Sequence, residues 1–584
     1  MKIHIDGNSL KTERISSDTS KITAIIPIAV NKYISTIISF LGEEFEYQKD
    51  FNVKEIFRCL KELLNDSSER YDFNEISDAL DSEELSCTQF QSLLSNLNEI
   101  KETQKNKGIY NTPNDITDFI LSNSISMYLF DGGKLCSNFD DLIDFINEEQ
   151  ARDIIYEKSF FDPTCGSGEF LSQVINVKLK LLKKITESPK IVDYYRILST
   201  MYGNDNDINA VDICKIRFFF EFAKRMQPEF YTPLIHILNK NFTLQDFINT
   251  DTEKNSKQYD IIIGNPPYVE DRSSAIVPNI KYGNIYANVI RNSMDILSNN
   301  GVMGFIIPIS YISTPRMSPI RRYIESHSSE KNIFNFADRP SCLFRGVHQK
   351  LSILIVKKGI AQCKVRTSNY NHWYKEERGD LFRKIEITEN KYLEKDFYPK
   401  LANEIEKSIY EKIHVNTSEN LYRKMQSLSD HAIFLNMRAT FWIKAFSFKQ
   451  ESNEFKMFKC QEHYKWLILA ILNSSLFYFH WVTISDCWHI TNRELATFRL
   501  PKEILNDDIK IKKLSELAKK LEEKLEATKV FINTKQTMYE YKHKLCKHVI
   551  NEIDIVLADI YLLSSEERDY IKEYYTKYRE SRGI

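Results

Sequence analysis

The spacing of apolar residues changes twice along the chain. From Val53 to Leu64 (Val-Lys-Glu-Ile-Phe-Arg-Cys-Leu-Lys-Glu-Leu-Leu) apolar positions recur at helical intervals, and residues 1–104 read as an N-terminal helical region. From residue 105 short apolar runs closed by turn residues take over. Phe160-Phe161-Asp162, Met201-Tyr202-Gly203, Tyr259 to Ile263 before Gly264, and Gly301 to Ile309 each read as a buried strand entering a turn. Helical stretches such as Asn114 to Leu121, Val174 to Lys184 and Val211 to Phe220 separate them. This alternation predicts an α/β domain with a doubly wound, Rossmann-like sheet over residues 105–360. Near the end, Leu514, Leu517, Leu521 and Leu525 form a helical stripe, and 506–584 reads as a helical region.

Two distributions place the boundaries between these zones. Twelve of the 16 glycines fall between Gly108 and Gly359, and none lies between Gly379 and Gly583. All five tryptophans, from Trp373 to Trp488, lie beyond that zone. Tight turns and close backbone approaches therefore belong to 105–360, and 361–505 is built differently.

The ends of the expected strands carry the chemistry. Phe160-Phe-Asp-Pro-Thr-Cys-Gly-Ser-Gly-Glu-Phe-Leu171 is a strand, a turn permitted by Gly166 and Gly168, and a helix. Asp162 disfavours a phosphate there, and the Lys-Ser/Thr of a P-loop is missing, so a cationic or hydroxyl-bearing ligand fits better. The next strand ends in Asn204-Asp205-Asn206-Asp207, ahead of a helix; acids in that position accept ribose hydroxyls. Asp205 and Asp207 are both candidates, with Asp205 preferred. Asp246 can accept from an amine, and Phe247 can stack on a purine. Thr112-Pro113 opens a helix whose N–H groups suit a carboxylate. Finally, Asn265-Pro-Pro-Tyr268 follows a buried strand. Pro266 and Pro267 lack N–H groups and cannot continue a ladder, so an amide, free carbonyls and an aromatic face meet at one strand end. That set suits a flat substrate bearing an amine.

Taken in order, Thr112-Pro113, Asp162 to Gly168, Asp205, Asp246-Phe247 and Asn265 to Tyr268 resemble the motifs of S-adenosylmethionine-dependent amino-methyltransferases. The chain is similar to gamma-type, TaqI-like DNA adenine N6-methyltransferases, closely over 105–360 and more loosely beyond. The resemblance implies S-adenosylmethionine as cofactor. Thr112 and Asp162-Pro163-Thr164-Cys165 would surround its methionine part, Asp205 would hold the ribose and Asp246 the adenine amine. Pro113, Gly166, Gly168, Asn206, Phe247 and Pro267 would complete the cofactor site. Asn265, Pro266, Pro267 and Tyr268 would be catalytic. Tyr268, with Phe344, would pack on the target base; a Phe344 that caps the sheet is the competing reading. Cys165 in the glycine turn departs from the family pattern. Residues 361–505 would be the target-recognition domain, since Leu472 to Tyr478 and Ser485 to Arg493 resemble patches of TaqI-like specificity domains. Double-stranded DNA is the implied partner, with a separate restriction endonuclease or defence-system subunit as a further one. No metal is implied.

Bulk charge adds little, because a net charge of −2 requires any nucleic acid to be held by local basic surfaces. Lysines crowd residues 510–547, either as a solvated face or as phosphate contacts. Ten scattered cysteines form no C-x-x-C pair, and reduced, buried thiols are expected. No apolar run reaches the ~18 residues of a membrane span. The first residues lack a signal-peptide pattern, so a cytoplasmic protein is expected. Residues 1–104 hold no acidic pair followed by E-x-K, and packing or partner contact is their expected role. Two other readings stay open: an N-P-P-Y methyltransferase acting on RNA or protein, and a non-catalytic DNA-binding subunit.

Overall fold

The computed structural model describes residues 3–6, 9–12, 58–59, 62–64 and 112–580, the last range without 224, 252–256, 345, 415–416, 418, 428–430 and 535–536. The expected N-terminal helical region therefore lies mostly outside the described residues. Within it, 58–59 and 62–64 are helical, but β1 (Ile3–Asp6) and β2 (Ser9–Thr12) pair antiparallel where a helix was expected. The local sequence explains the difference. Ile3 and Ile5 alternate with His4 and Asp6, and Gly-Asn follows, which is a hairpin pattern rather than a helical one.

The described chain forms two compact units. One comprises Met1–Ile307, Tyr323–Glu330 and Leu354–Gln362; the other comprises Pro308–Arg322, Lys331–Ile353 and Cys363–Ile584.

In the first unit, β3 (Phe160–Asp162), β4 (Met201–Asp205), β5 (Phe242–Leu244), β6 (Tyr259–Gly264) and β7 (Leu297–Pro308) lie in the order β5-β4-β3-β6-β7. Every pair among these five strands is parallel. The chain runs outward from β3 to β5 and then returns to lay β6 on the other side of β3. The order therefore reverses between β3 and β6, and in open α/β sheets the ligand crevice lies outside the carboxyl ends at such a reversal. Asp162 ends β3, and Asn265 follows β6. The expected doubly wound domain is present, and its switch point carries the motif residues.

Local packing shows why these segments take this form. All three residues of β3 are buried, as a strand covered on both faces requires. Helix α1 (Asn114–Leu129) crosses close to β7: a Cβ on Gly304 would overlap the Ser124 hydroxyl and reach within 2.9 Å of Ile120 Cγ2. Between β6 and β7 the register slips, from Tyr259↔Leu297 to Ile261↔Val302. The slip is taken up by Asn300, with a left-handed φ of 63°, and by Gly301, whose missing Cβ would lie 2.9 Å from the Asp260 carbonyl.

Strands β8 (Ser328–Phe336) and β9 (Leu351–Lys358) have residues in both units. In the second unit β10 (Lys364–Asn371) pairs antiparallel with β11 (Thr388–Glu389), and β12 (Ala432–Asn436) lies between β13 (Ala445–Phe446) and β14 (Phe455–Lys459). Helices α4 (Glu462–Leu472) and α5 (Ser475–Ile484) are strongly apolar and meet at 67°. All ten residues of α5 are buried, so its apolar character is that of a core helix. No single helix among the described residues is long and apolar enough to cross a membrane. Helix α6 (Asp508–Thr528) buries Leu514, Leu517, Leu521 and Leu525, the stripe expected from spacing. The second unit thus takes in both 363–505 and the helical tail.

Candidate active site

Three acids stand at successive strand ends of the first unit. Asp162 is 1% exposed, and its Oδ1 accepts the Thr164 N–H at 3.0 Å. The turn after it bends on Gly166 and Gly168, with φ of 53° and 89°. Gly168 then opens helix α2 (Glu169–Ile185), and a Cβ there would meet Cys214 Sγ at 2.8 Å and Phe218 Cζ at 2.9 Å. That position demands glycine twice over, by its φ and by lack of space. Asp205 faces this turn. Its Oδ2 accepts the Gly166 N–H at 2.9 Å and its Oδ1 accepts the Asp207 N–H at 2.9 Å, with the Asn206 N–H adding to these. Asp207 does something else: it accepts the Asn209 N–H at 3.0 Å and starts helix α3 (Ile208–Ala223). Geometry thus favours Asp205 over Asp207 as the acid of the crevice.

Asp246 is exposed. It accepts the Ile248 N–H at 2.9 Å and the Asn249 amide at 3.1 Å. Phe247 is buried, edge-on to Phe161 with centroids 5.7 Å apart, so its ring packs on the strand that ends in Asp162.

Across the switch point, Gly264 touches the first acid. A Cβ on Gly264 would lie 2.7 Å from Asp162 Oδ1. The residue after it, Asn265, donates its Nδ2 to Thr112 Oγ1 at 3.1 Å. That bond fixes the amide plane, directs its oxygen away from Thr112, and joins the Thr112-Pro113 helix start to the N-P-P-Y segment. Tyr268 is half-buried, and its hydroxyl donates to the Ile306 carbonyl at 2.9 Å, anchoring the ring to β7. Cys165 is buried, and its thiol donates to the Gly166 carbonyl at 3.7 Å. Phe344 belongs to the second unit; it is buried, and its carbonyl accepts the Val347 N–H.

The sequence reading missed two residues here. Arg217, on α3, donates to the Ser167 carbonyl at 3.1 Å and pairs with Glu169 at 3.7 Å, bracing the glycine turn from a helix about fifty residues away along the chain. Asn204, just before Asp205, is 3% exposed and hydrogen-bonded on every side. Neither belongs to a local motif, and only the position of Asn204 beside a candidate acid could have drawn attention to it.

Electrostatics separate the acids. Burial pushes the Asp162 carboxyl well above its usual range; the Thr164 N–H opposes this, and Asp205 and Glu169 add to the rise. Burial also raises Asp205, against the N–H groups it accepts. The folded pKa of Asp162 exceeds the unfolded value, so the folded state binds the proton more tightly. Stability from this group is full below the ordinary carboxylate range and is lost as pH rises toward the elevated value. Asp162→Asn keeps an acceptor for Thr164 and escapes that loss. The ligand-free variant is expected to melt a few degrees above wild type at neutral pH, with the advantage shrinking toward pH 4. Thermal unfolding across pH checks this, and a pH-independent difference would contradict it.

In the second unit, the Ser485 to Arg493 patch is a braced loop that runs into the first turn of the helix Asn492–Thr497. Cys487 takes a left-handed φ of 57°, and Asp486 accepts the N–H groups of Trp488 and His489 at 2.9 and 2.8 Å. The Lys350 ammonium lies 4.6 Å from the Trp488 ring centroid. Hydrogen bonding to Asp486 raises the His489 pKa and favours its charged form.

Comparison with known proteins fits this geometry. Residues 199–342 match the model of the Eco57I restriction-modification methylase family, a span that holds Asp205, Asp246 and Asn265 to Tyr268. The type II restriction enzyme and methyltransferase RM.Eco57I of Escherichia coli is 22% identical over 282 residues, 40% of this chain and 26% of that protein. The putative type II restriction enzyme and methyltransferase RM.MjaORFECS2P of Methanocaldococcus jannaschii is 28% identical over 151 residues, 22% of this chain and 13% of that protein. The matches thus span about a quarter and an eighth of these relatives' lengths. Among solved structures, the type IIL restriction-modification enzyme MmeI, in complex with DNA, shares the fold with a TM-score of 0.52 at 11% identity, over 97% of this chain and 96% of that one. This chain is therefore similar to restriction-modification methylases of the Eco57I type, through the segment that carries Asp205 and the N-P-P-Y tetrapeptide.

Proposed function

We propose that the chain is a DNA methyltransferase of a restriction-modification or defence system, acting on the N6 amine of adenine with S-adenosylmethionine as cofactor. The observation that carries this reading is the contact of Gly264 with Asp162, which sets the N-P-P-Y segment beside the first acid of the crevice. A cofactor-facing acid and an amine-binding strand end then share one site.

The residues present fit the cofactor. Asp162, Asp205 and Asp246 offer acceptors for an ammonium, two ribose hydroxyls and an exocyclic amine in that order. The Thr164 hydroxyl is buried beside Asp162 with no hydrogen-bond partner in the ligand-free protein, as a side chain awaiting a ligand would be. At Gly166 a Cβ would meet only Glu169 Oε2, at 3.8 Å, so this stretch of backbone is open to close approach by a ligand. When bound, S-adenosylmethionine supplies an electrophilic methyl group on its sulfonium.

The protein's own work is on the amine. Adenine N6 is a poor nucleophile, because its lone pair is delocalised into the ring. The Asn265 side-chain oxygen and the Pro266 carbonyl accept its two hydrogens, pull the lone pair out of conjugation and aim it at the methyl group. In a duplex that amine lies within the stack, so the base must be flipped out, and the Tyr268 ring, tethered through Ile306, offers a face to hold it. On the resemblance, 361–505 reads the DNA sequence.

Labelled S-adenosylmethionine tests the reading when duplex DNA, single-stranded DNA, ribosomal RNA and protein are offered together. The label is expected in duplex DNA, as N6-methyladenine. Label in RNA or protein would assign the N-P-P-Y site to another acceptor. DNA binding with no label anywhere would make the chain a non-catalytic subunit.

A further inference from the structure

We infer that Asn204 is the positioning residue that sets the three acids of the cofactor crevice at their mutual spacing; the inference rests on the reading above. Its Nδ2 donates to the Pro163 carbonyl at 3.1 Å and to the Gln245 carbonyl at 3.0 Å, using both of its hydrogens. Its Oδ1 accepts the Thr243 hydroxyl at 3.0 Å, which fixes the amide the right way round. Its backbone carbonyl accepts the Cys165 N–H at 2.8 Å. At 3% exposure this is a fully satisfied amide in the interior of the sheet edge.

The placement matters because the backbone ladder ends here. The β3–β4 register stops at Asp162↔Gly203, and Pro163 has no N–H to extend it. The β4–β5 register stops at Asp205↔Leu244. Beyond those points one backbone bond remains on each side, Cys165 N–H to the Asn204 carbonyl at 2.8 Å and Gln245 N–H to the Asp205 carbonyl at 3.0 Å, and the Pro163 and Gln245 carbonyls are taken by the Asn204 amide. One side chain thus adds a bond on both sides of β4 where the ladder thins to a single backbone bond. Each residue it joins is next to an acid: Pro163 follows Asp162, Asn204 precedes Asp205, and Gln245 precedes Asp246. A ligand that engages all three acids at once therefore depends on this amide more than a ligand that engages fewer.

The test uses S-adenosylhomocysteine, which spans all three acids, and adenosine, which lacks the amino-acid end and so leaves Asp162 unused. Calorimetry is run on wild type, Asn204→Leu and Thr243→Val. Asn204→Leu is expected to weaken S-adenosylhomocysteine by on the order of 100-fold, the scale of a misplacement of about 1 Å, and adenosine by a clearly smaller factor. Thr243→Val removes only the hydroxyl that orients the amide and should shift the same ratio less; it keeps the test decisive if Asn204→Leu fails to fold. KM for the cofactor should rise in both, with kcat at saturation near wild type. Unchanged S-adenosylhomocysteine affinity in the folded variants would overturn the inference, and so would equal losses for the two ligands, which mark a general loss of structure. If wild type itself binds neither ligand, the proposed function falls first.

Discussion

Asn265→Ala is expected to lower kcat for methyl transfer by about 10²–10³, the usual consequence of deleting one preorganised polar group from a site where charge develops. DNA affinity should stay within a few-fold of wild type. The difference follows from when the acceptor matters: the Asn265 oxygen gains most as the amine becomes cationic, so its loss is felt in the transition state more than in the ground state. The structure adds a second component. Asn265 also donates to Thr112 Oγ1, so its removal frees the start of helix α1. Thr112→Val separates the two, since it deletes the acceptor of that bond and leaves Asn265 in place. It should lower kcat by much less than Asn265→Ala. Single-turnover rates with duplex DNA give the chemical step directly. Equal effects of the two substitutions would assign Asn265 a role in packing.

Asp205→Ala is expected to weaken cofactor binding by about 100-fold or more, because hydrogen bonds to a charged group contribute roughly 1.5–3 kcal/mol each and two ribose hydroxyls lose theirs. The variant also strands the Gly166 and Asp207 N–H groups that Asp205 accepts, so the glycine turn loosens as well. Asp207→Ala is the matched control. It removes the cap on the first turn of α3, worth about 1 kcal/mol of stability, and should leave cofactor affinity within a few-fold of wild type. Titration calorimetry with S-adenosylhomocysteine distinguishes the pair. If Asp207→Ala proved the more damaging, the ribose acid would have to be reassigned.

Much of the site was legible because its chemistry is local. The strand Tyr259–Gly264, the turn from Asp162 to Gly168 and the acid ending β4 are each a few consecutive residues whose types dictate the conformation found. What could not be read are relations between distant residues. The choice between Asp205 and Asp207 depended on which carboxylate meets the Gly166 N–H, a contact across 39 positions. The braces Arg217 and Asn204 act across about fifty and forty positions, and neither sits in a motif. Phe247 has the right residue type for stacking on a purine, and that its ring also packs edge-on against Phe161 is a relation between distant residues that only packing decides. The hairpin of β1 and β2 shows a different failure, in which the helical pattern of a later stretch was extended over a short segment that alternates with period two. Nor could the division of β8 and β9 between two units be read, because each is a continuous apolar run in sequence.

The central claim, that the crevice at the β3–β6 switch point methylates adenine in DNA, is tested most directly in a host free of DNA methylation. Wild type and Asn265→Ala are expressed there to equal levels, and the host genome is sequenced for modified bases. N6-methyladenine at one recurring sequence with wild type, and its loss with Asn265→Ala, is the predicted result. Unmodified adenine with wild-type protein present and binding both cofactor and DNA, or an undiminished mark with Asn265→Ala, would contradict it.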